Sequence, residues 1–376
     1  MRSGERWEYL LHVPKLATDA LVRGQYSFTY DWMPMKVRGM SALQRLNLLR
    51  AGCNLLYRRA RPWSWPLNMQ IELTSYCNLR CPVCPVGTGD LSRGPMAMDP
   101  GLFDRLMKEV GPYLLTLSLW AWGEPLLHPQ IAEILSIVRK YPVATLLSTN
   151  GQNLNQRRIL EALQKSPPTY LIVATDGLCD ETNSLYRKGA RIAPLLEGVR
   201  ELAEWKRLTR SNLPVLHCRF LAMKHNEHEL PALNQFAEIN GFDMVSVRGL
   251  SIIDSSEETH NSLLAGADSL RAYGYKDGER VHRDDFICQH AFSFPTVLAD
   301  GTVVACEQDF NASRAYGVFS AGRSFRSIWF SPAAAAIRRV IRDDPEQYSF
   351  CSRCPYADRP ISSCSLQAHQ LRSIKV

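Results

Sequence analysis

Residues 74–85 read TSYCNLRCPVCP and place Cys77, Cys81 and Cys84 within eight residues. This C-x3-C-x2-C spacing suits a loop that directs three thiolates to three irons of a 4Fe–4S cube and leaves the fourth iron without a protein ligand. A structural zinc site needs four ligands and commonly pairs two short C-x2-C knuckles, and no fourth ligand lies nearby in the sequence. The spacing therefore favours an iron–sulfur site whose fourth corner binds a small molecule.

The composition around this loop is that of a soluble protein. The 376 residues allow one large domain or two smaller ones, and 45% hydrophobic with 22% charged content is ordinary for a globular chain. No apolar window is long enough to predict a membrane-spanning helix, and the first twenty residues lack the apolar core of a secretory signal. We therefore expect a cytoplasmic protein, in which the eleven cysteines are metal ligands or core thiols rather than disulfides.

The excess positive charge lies at the N-terminus. Residues 1–66 carry eleven Lys and Arg against four Asp and Glu, whereas the remainder is balanced. This surface is either simply solvated or in contact with an anionic membrane, lipid, nucleotide or acidic peptide. Within it, residues 41–62 are predicted to form a helix, with an apolar stripe of Ala42, Leu46, Leu49, Cys53 and Leu56. We expect this stripe to pack on the next domain, with Cys53 as a core thiol, while a peripheral membrane contact through residues 1–60 stays open.

From residue 67 onward, predicted strands alternate with predicted helices. The six predicted strands are residues 68–73, 114–119, 143–148, 169–175, 214–222 and 243–250. The helix after the first strand has Asp99 as its predicted cap and Pro100 at its first position. Such alternation implies parallel βαβ units that curl into a partial or full barrel, whose chemistry lies in the loops after the strands. Beyond residue 250 the alternation fades, and residues 251–280 are predicted to be a linker.

The CNLRCPVC stretch, placed after a strand at the start of a (βα)6 array, resembles the radical S-adenosylmethionine (SAM) superfamily. The resemblance implies an α/β fold with a partial (βα)6 TIM-like radical SAM barrel. It implies that Cys77, Cys81 and Cys84 hold a 4Fe–4S cluster whose unique iron binds SAM. Reductive cleavage of SAM would then yield a 5′-deoxyadenosyl radical that takes a hydrogen atom from the substrate.

Further stretches match the family's SAM-binding pattern, each after a predicted strand. WGEPLLHP resembles the GEP motif, whose backbone receives the SAM amino group, and STNG lies where the family often contacts SAM. SLYRKGA places Arg187 where relatives carry an arginine for the SAM carboxylate. The SAM-binding residues implied are Gly123, Glu124, Pro125, Ser148, Asn150, Asp176 and Arg187. The sequence departs from the family at Val83, often an aromatic, and at Ala174, often a serine; both departures concern adenosine recognition.

The cysteines of the last quarter resemble the SPASM and twitch auxiliary-cluster modules of the same superfamily. Cys288, Gly301 and Cys306, with four residues between the last two, match the opening C-x(9–15)-G-x4-C, and residues 299–306 read as a hairpin. With Cys351 and Cys354 they supply four thiolates, enough for one auxiliary 4Fe–4S cluster, as in the twitch-domain dehydrogenases that oxidise an aminocyclitol alcohol. A second cluster would need a cysteine where Pro360 stands; a zinc ribbon is the alternative to a cluster.

Two residues are candidates for a catalytic role. Arg248 ends the sixth predicted strand and suits an anionic substrate group, whereas His217 and Arg219 share a strand face that is either inward or solvated. Cys364 is left over: it replaces one of the four ligands, faces solvent, or donates a hydrogen atom as in radical epimerases. The predicted organisation is a basic helical N-terminal extension (1–66), the barrel (67–250), the linker (251–280) and a small SPASM/twitch domain (281–376).

The leading functional hypothesis is a radical SAM oxidoreductase. It would abstract hydrogen from an unactivated C–H bond of a small metabolite, sugar or lipid, with oxidation or rearrangement following and the auxiliary cluster accepting an electron across about 10–15 Å. Flavodoxin or ferredoxin would be the reductant. The alternatives are a ribosomal-peptide maturase, acting by epimerisation or crosslinking, and a non-catalytic iron–sulfur protein. No nucleic-acid partner is expected, because no RNA-binding motif is found.

Overall fold

The computed structural model describes residues 18–251, 262–276, 279–281, 283, 286–352, 354–359 and 365–376. Within these ranges the strands are β1 (Gln25–Tyr30), β2 (Met33–Arg38), β3 (Asn68–Ile71), β4 (Thr116–Ser118), β5 (Ala144–Thr149), β6 (Tyr170–Ala174), β7 (Val215–Ala222), β8 (Met244–Gly249), β9 (Tyr275–Lys276), β10 (Glu279–Arg280), β11 (Thr296–Val297), β12 (Thr302–Val304), β13 (Gly317–Val318) and β14 (Ser365–Gln370). The helices are α1 (Ala42–Tyr57), α2 (Pro85–Thr88), α3 (Pro100–Val110), α4 (Ile131–Val138), α5 (Arg157–Lys165), α6 (Asp180–Tyr186), α7 (Ile192–Thr209), α8 (Leu230–Ile239), α9 (His290–Ser293), α10 (Phe325–Trp329), α11 (Pro332–Asp343) and α12 (Ser349–Ser352).

The centre of the molecule is the predicted array of six parallel strands. β3 to β8 pair in chain order and in parallel, and the intervening helices bury apolar faces against them. Helix α3 begins as predicted, because the Asp99 carboxylate accepts a hydrogen bond from the amide of Leu102 (2.7 Å) and Pro100 occupies its first turn. The fold is therefore the predicted α/β partial barrel, with the loops after the strands at one end.

C-terminal strands cover both edges of this six-stranded array. β11 pairs in parallel with β3, and β14 pairs antiparallel with β8. β11 and β12 form the predicted hairpin, and its turn needs Gly301, which has a φ of +87° and lies so close to Phe319 that an added Cβ would stand 2.4 Å from the Phe319 oxygen. Because strands of residues 281–376 thus lie in the barrel's own sheet, the predicted domain boundaries stay predictions.

The N-terminal extension is not helical throughout, which corrects the prediction for residues 1–66. β1 and β2 form an antiparallel hairpin, and Met33, Met35 and Val37 alternate as buried side chains along β2. They pack against residues at the beginnings of the barrel strands, and the Tyr170 hydroxyl donates to the Pro34 oxygen (2.6 Å). The hairpin therefore fills the amino end of the barrel interior.

Helix α1 forms as predicted, but its orientation is the reverse of the one expected. Gln44, Asn47, Ala51 and Asn54 are buried, whereas the apolar stripe, Cys53 included, faces outward. The physical reason is that the polar side chains of the buried face donate hydrogen bonds to backbone oxygens of the barrel. The Gln44 amide donates to the Leu114 (2.7 Å) and Pro142 (3.0 Å) oxygens, and the Asn47 amide donates to the Tyr113 oxygen (3.2 Å). These carbonyls precede barrel strands and need donors.

Of the predicted linker, residues 252–261 and 277–278 lie outside the described residues, and Tyr275–Lys276 (β9) pairs with Glu279–Arg280 (β10). A search of the described residues finds no helix with the length and apolar character needed to cross a membrane.

Candidate active site

The three-cysteine loop follows β3 directly and folds back on itself. Cys84 precedes the short helix α2, and its amide donates to the Cys81 oxygen (3.3 Å). Gly87 in that helix packs against Cys81, where an added Cβ would lie 2.2 Å from the Cys81 oxygen. The Arg80 guanidinium donates to the Cys77 oxygen (3.0 Å). These contacts close the loop around its three thiols.

The electrostatics of these thiols fit a cluster-binding site. Cys77, Cys81 and Cys84 interact electrostatically with one another. Burial raises the pKa of the Cys77 thiol, and it raises the pKa of Cys81 to about 12. Thiols with such pKa values stay protonated near neutral pH unless a metal replaces the proton. Three half-buried cysteines on one loop therefore form a donor set that iron can complete.

Glu124 ties together the loops that follow three neighbouring strands. Its carboxylate accepts hydrogen bonds from the Leu126 amide (2.9 Å), the Thr149 hydroxyl (2.7 Å) and the Asn150 amide (2.8 Å). Its own backbone oxygen accepts from the Thr74 hydroxyl (2.8 Å). Burial raises the pKa of Glu124, and these hydrogen bonds oppose that shift. The side chain is thus a buried support, and the predicted contact of this loop's backbone with SAM stays a prediction.

The neighbours of Glu124 are held equally closely. Gly123 lies against Thr74, where an added Cβ would stand 2.0 Å from the Thr74 oxygen, so this approach requires glycine. The Asn150 amide group donates to Asn78 (2.8 Å) and to the Cys77 sulfur (3.5 Å). Asn150 therefore supports the cluster loop itself, and its predicted contact with SAM stays a prediction. Pro125 is buried, and Ser148 is half-buried at the end of β5.

Asp176 and Arg187 form a buried ion pair beside the cluster loop. The Arg187 Nε lies 2.6 Å from the Asp176 carboxylate, which also accepts from the Leu221 amide (2.9 Å). Burial favours the neutral form of Arg187, but the charges of Asp176 and Cys81 hold its pKa above the ordinary value. Arg187 lowers the pKa of Cys81 in return, against the larger effect of burial. Asp176 therefore holds the Arg187 guanidinium in a fixed position close to Cys81.

The four predicted auxiliary cysteines also come together. Cys288, Cys306, Cys351 and Cys354 interact electrostatically in all pairwise combinations. Burial raises the pKa of Cys306 and Cys351 and raises that of Cys354 to about 11. Burial acts in the same direction on Cys288 and is the largest single effect, but the hydrogen bonds from His290 and the Ala291 amide and the charge of His290 together outweigh it and lower the Cys288 pKa. Four thiols from three segments of the chain thus share one location, in which Cys306 is buried and the other three are half-buried.

The geometry of both thiol groups differs from that of a mononuclear metal site. Among the residues that the structure describes, no three His, Cys, Asp or Glu side chains converge closely enough to hold a single metal ion. Each thiolate of an iron–sulfur cluster binds a different iron, so its ligands need not converge on one point.

Side chains from the barrel bind directly to the segment that carries Cys306. The Trp122 indole donates to the Glu307 oxygen (2.7 Å). Arg93 pairs through two hydrogen bonds with the buried Glu72 carboxylate (2.7 and 2.8 Å) and donates from its Nε to the Phe310 oxygen (2.6 Å). The two cysteine groups are therefore held in a fixed relation to each other.

A cavity of about 720 Å³ lies inside the barrel, between the hairpin and the auxiliary segment. Its wall is lined by residues of four parts of the chain: Asp31 and Trp32 of the hairpin turn; Gln70, Ser118, Trp120, Arg219 and Arg248 of the barrel; His290 and Phe294; and Glu307, Tyr356 and Arg359. A smaller neighbouring cavity of about 230 Å³ shares Gln70, Trp120 and Arg248 and extends to Val83 in the cluster loop. The space therefore runs from the cluster loop to the auxiliary segment.

The hairpin turn places a carboxylate on the cavity arginines. Asp31 Oδ2 lies 3.3 Å from Arg219 and 3.6 Å from Arg248, and its Oδ1 accepts from the Ser365 amide (2.8 Å). Asp31 and Trp32 both have positive φ angles (49° and 67°), which side-chain-bearing residues rarely adopt. Arg219 is thus inward, which answers the question that the sequence left open. Arg248 lines the cavity, and its catalytic role stays a prediction.

His217 is inward and completely buried, where its Nε2 lies 2.7 Å from the Ser246 hydroxyl; burial lowers its pKa. Cys364 lies outside the described residues, so its role stays a prediction. Sequence reasoning missed Gly87, His290, Tyr356, Arg359 and the hairpin turn. Only the hairpin had a readable signal, the alternation of Met33, Met35 and Val37.

Two family models match the chain. The radical SAM superfamily model matches residues 71–217, and the SPASM model, an iron–sulfur cluster-binding domain, matches residues 288–355.

Known proteins with similar sequences belong to several functional groups. The chain is 22% identical over 317 residues to the tungsten-containing aldehyde ferredoxin oxidoreductase cofactor-modifying protein of Pyrococcus furiosus, covering 77% of this chain and 87% of that protein. It is 22% identical over 207 residues to the PqqA peptide cyclase of Gluconobacter oxydans, covering 54% of this chain and 55% of the cyclase.

Solved structures share the fold. SuiB of Streptococcus suis, bound to S-adenosylmethionine, superposes with a TM-score of 0.58 at 17% identity, over 78% of this chain and 72% of that one. Native anSMEcpe with bound AdoMet superposes with a TM-score of 0.53 at 13% identity, over 80% of this chain and 93% of that one.

Proposed function

Because the chain belongs to the radical SAM superfamily and carries a C-terminal SPASM domain, we propose that it removes hydrogen from an unactivated C–H bond of a small polar substrate held in the 720 Å³ cavity. The observation that carries the proposal is the position of this cavity between the two thiol groups. When bound, the Cys77/Cys81/Cys84 cluster and SAM supply the 5′-deoxyadenosyl radical, and the auxiliary cluster supplies an electron acceptor.

The cavity suits a substrate with an anionic group. Arg219, Arg248 and Arg359 contribute guanidinium groups to its wall, and guanidinium groups bind carboxylate or phosphate in a bidentate manner. An anionic substrate group would share Arg219 and Arg248 with the Asp31 carboxylate or replace it there. Trp120 and Phe294 add apolar surface that can hold a carbon skeleton. A volume of 720 Å³ lies within the range of small-molecule sites and suits a metabolite or sugar derivative better than a long chain.

The outcome that we propose is oxidation or rearrangement of the substrate. Loss of a hydrogen atom followed by one electron and one proton converts an alcohol to a carbonyl. The auxiliary cysteines lie beside the cavity wall, since Glu307 follows Cys306 and His290 contacts Cys288. The hydrogen bonds of Trp122 and Arg93 to this segment keep the distance between the cavity and the auxiliary cysteines constant, which favours electron transfer.

Peptide maturation is the second candidate, and the relatives favour it. A PqqA peptide cyclase is among the similar sequences, and SuiB bound to its precursor peptide SuiA superposes with a TM-score of 0.57. In that case a side chain of the peptide would enter the cavity, and the arginines would meet an acidic residue.

The cysteines of this chain must stay reduced to bind clusters, and cleavage of SAM needs an electron donor. We propose the cytoplasm, where cysteines stay reduced, and flavodoxin or ferredoxin as the electron donor.

The experiment uses deuterium to identify the substrate class. The protein, reconstituted anaerobically with SAM and reductant, is incubated with extracts of the source cells grown in deuterated medium and separated into small-molecule and peptide fractions. We expect deuterated 5′-deoxyadenosine from the small-molecule fraction and none with a Cys77→Ala/Cys81→Ala/Cys84→Ala variant. Deuterium transfer from the peptide fraction alone would replace this proposal by the second candidate.

A further inference from the structure

Helix α1 presents an apolar stripe to the outside of the protein. Leu43, Leu46, Leu49, Leu56 and Tyr57 are between 44% and 81% exposed, and together they form what we call the outer leucine face. Single exposed apolar residues are normal on a protein surface. These five recur at helical spacing on one side of a single helix, so they form one continuous surface.

The opposite face of α1 fixes this orientation. Asn47 accepts from the Trp65 amide (2.9 Å) and Asn54 accepts from the Trp63 amide (3.0 Å), in addition to the contacts of Gln44 with the loops that enter the barrel. Rotating the helix to bury its leucines would leave these backbone groups without partners. The exposure of the leucines is therefore built into the fold.

The surroundings of the outer leucine face are strongly basic. Residues 32–66 contain seven Lys and Arg and no Asp or Glu. Arg50 on the helix and Arg61 beyond it are exposed. Trp63 is half exposed, with the Arg59 guanidinium 3.7 Å above its ring. Leucine side chains on a helix, with tryptophan and arginine side chains beside them, are the combination that inserts among lipid headgroups.

We propose that the outer leucine face and its arginines dock the protein on an anionic membrane surface, with α1 lying in the headgroup region. Charge complementarity selects this occupant, because an anionic bilayer offers both negative headgroups and an apolar layer beneath them. Helix α1 covers the amino end of the barrel strands, whereas the cluster loop follows the carboxyl end of β3. Docking therefore leaves the cluster end directed away from the membrane.

The test is sedimentation of the full-length protein with vesicles of phosphatidylethanolamine and phosphatidylglycerol, beside vesicles of phosphatidylcholine alone. We expect binding to the anionic vesicles only. Leu49→Gln/Leu56→Gln should lower the bound fraction at least about fivefold, because two of the inserting side chains become polar. The matched control is Leu208→Gln/Ile239→Gln, since these side chains are as exposed (66% and 70%, against 51% and 81%) but lie on the outer barrel helices; it should bind like the unmodified protein.

A second variant, Arg50→Gln/Arg61→Gln, should also weaken binding to the anionic vesicles, and high salt should weaken it further in all proteins. Equal binding by Leu49→Gln/Leu56→Gln and by the unmodified protein would overturn the proposal. An equal loss of binding in Leu49→Gln/Leu56→Gln and in the control Leu208→Gln/Ile239→Gln would also overturn it. A solution dimer that Leu49→Gln/Leu56→Gln dissociates, without vesicle binding, would assign the face to a protein partner instead. SAM cleavage serves as the control for folding, so a failure here is separate from a failure of the proposed function.

Discussion

The cluster loop depends on Gly87 as well as on its cysteines. An added Cβ would lie 2.2 Å from the Cys81 oxygen and 2.7 Å from the Cys81 nitrogen, and both are backbone atoms that cannot turn aside. Gly87→Ala should therefore open the loop and separate Cys81 from its partners. We expect iron content after anaerobic reconstitution to fall from about eight to about four atoms per chain, with loss of SAM cleavage.

Gly94→Ala is the matched control for this prediction. Gly94 lies in the same connection, and an added Cβ would meet nothing within 4 Å. It should therefore retain full iron content and activity. If Gly87→Ala also retained both, the tight packing of α2 on Cys81 would have no role in cluster binding.

At the residue scale, sequence predicts ligands better than it predicts their supports. The spacing of Cys77, Cys81 and Cys84 was sufficient because the ligand pattern is local. The importance of Gly87 is visible only once α2 packs on Cys81, and Glu124 shows its supporting role only when the loops after three strands meet. Contacts between distant segments leave no spacing pattern to read.

At the scale of the elements, the buried polar face of α1 leads to a prediction: an apolar substitution there should destabilise the protein. Asn47 is buried and exchanges hydrogen bonds with Tyr113 and Trp65. Asn47→Leu makes the helix more apolar but removes these partners, so it should lower the free energy of unfolding by about 2 kcal/mol. Thermal and denaturant unfolding under anaerobic conditions would measure the change.

Leu49→Asn is the inverse substitution on the same helix. Because Leu49 is 51% exposed, this change should alter the free energy of unfolding by less than about 0.5 kcal/mol. A greater loss of stability in Leu49→Asn than in Asn47→Leu would show that the leucine stripe is covered in solution. The helical spacing of the apolar residues correctly predicted that they lie on one side of α1. That spacing does not reveal which side of the helix the rest of the chain covers.

The connection between the barrel and the auxiliary segment gives a third prediction. Glu72 is fully buried, and Arg93 is its partner through two hydrogen bonds. Arg93→Ala should destabilise the protein by about 3 kcal/mol, because it leaves a buried carboxylate without its counter-charge. Glu72→Gln/Arg93→Ala should recover part of this loss, since the uncharged amide can still accept from the Ala299 amide. Equal unfolding midpoints for the single and double variants would exclude the buried charge as the cause.

For the whole molecule, the order of the central strands was predictable and the sheet edges were not. Alternating apolar segments and helices indicate parallel strands in chain order, as found from β3 to β8. The pairing of β11 with β3 joins residues more than 200 positions apart, and β11 has only two residues, too few to carry a periodic pattern. The same distance in sequence hides the cavity, whose walls come from the hairpin, the barrel and the auxiliary segment.

The separation of the two thiol groups leads to the last prediction, on iron content. Cys77, Cys81 and Cys84 lie on one loop, whereas the auxiliary cysteines come from three later segments, so each group should assemble without the other. The unmodified protein should hold about eight irons, and either Cys77→Ala/Cys81→Ala/Cys84→Ala or a variant with the four auxiliary cysteines changed to alanine should hold about four. Iron and sulfide analysis with electron paramagnetic resonance would measure this. About four irons in the unmodified protein and none in the triple variant would mean that the auxiliary thiols bind no cluster. The cavity would then border a single redox centre, and substrate oxidation through the C-terminal segment would be excluded.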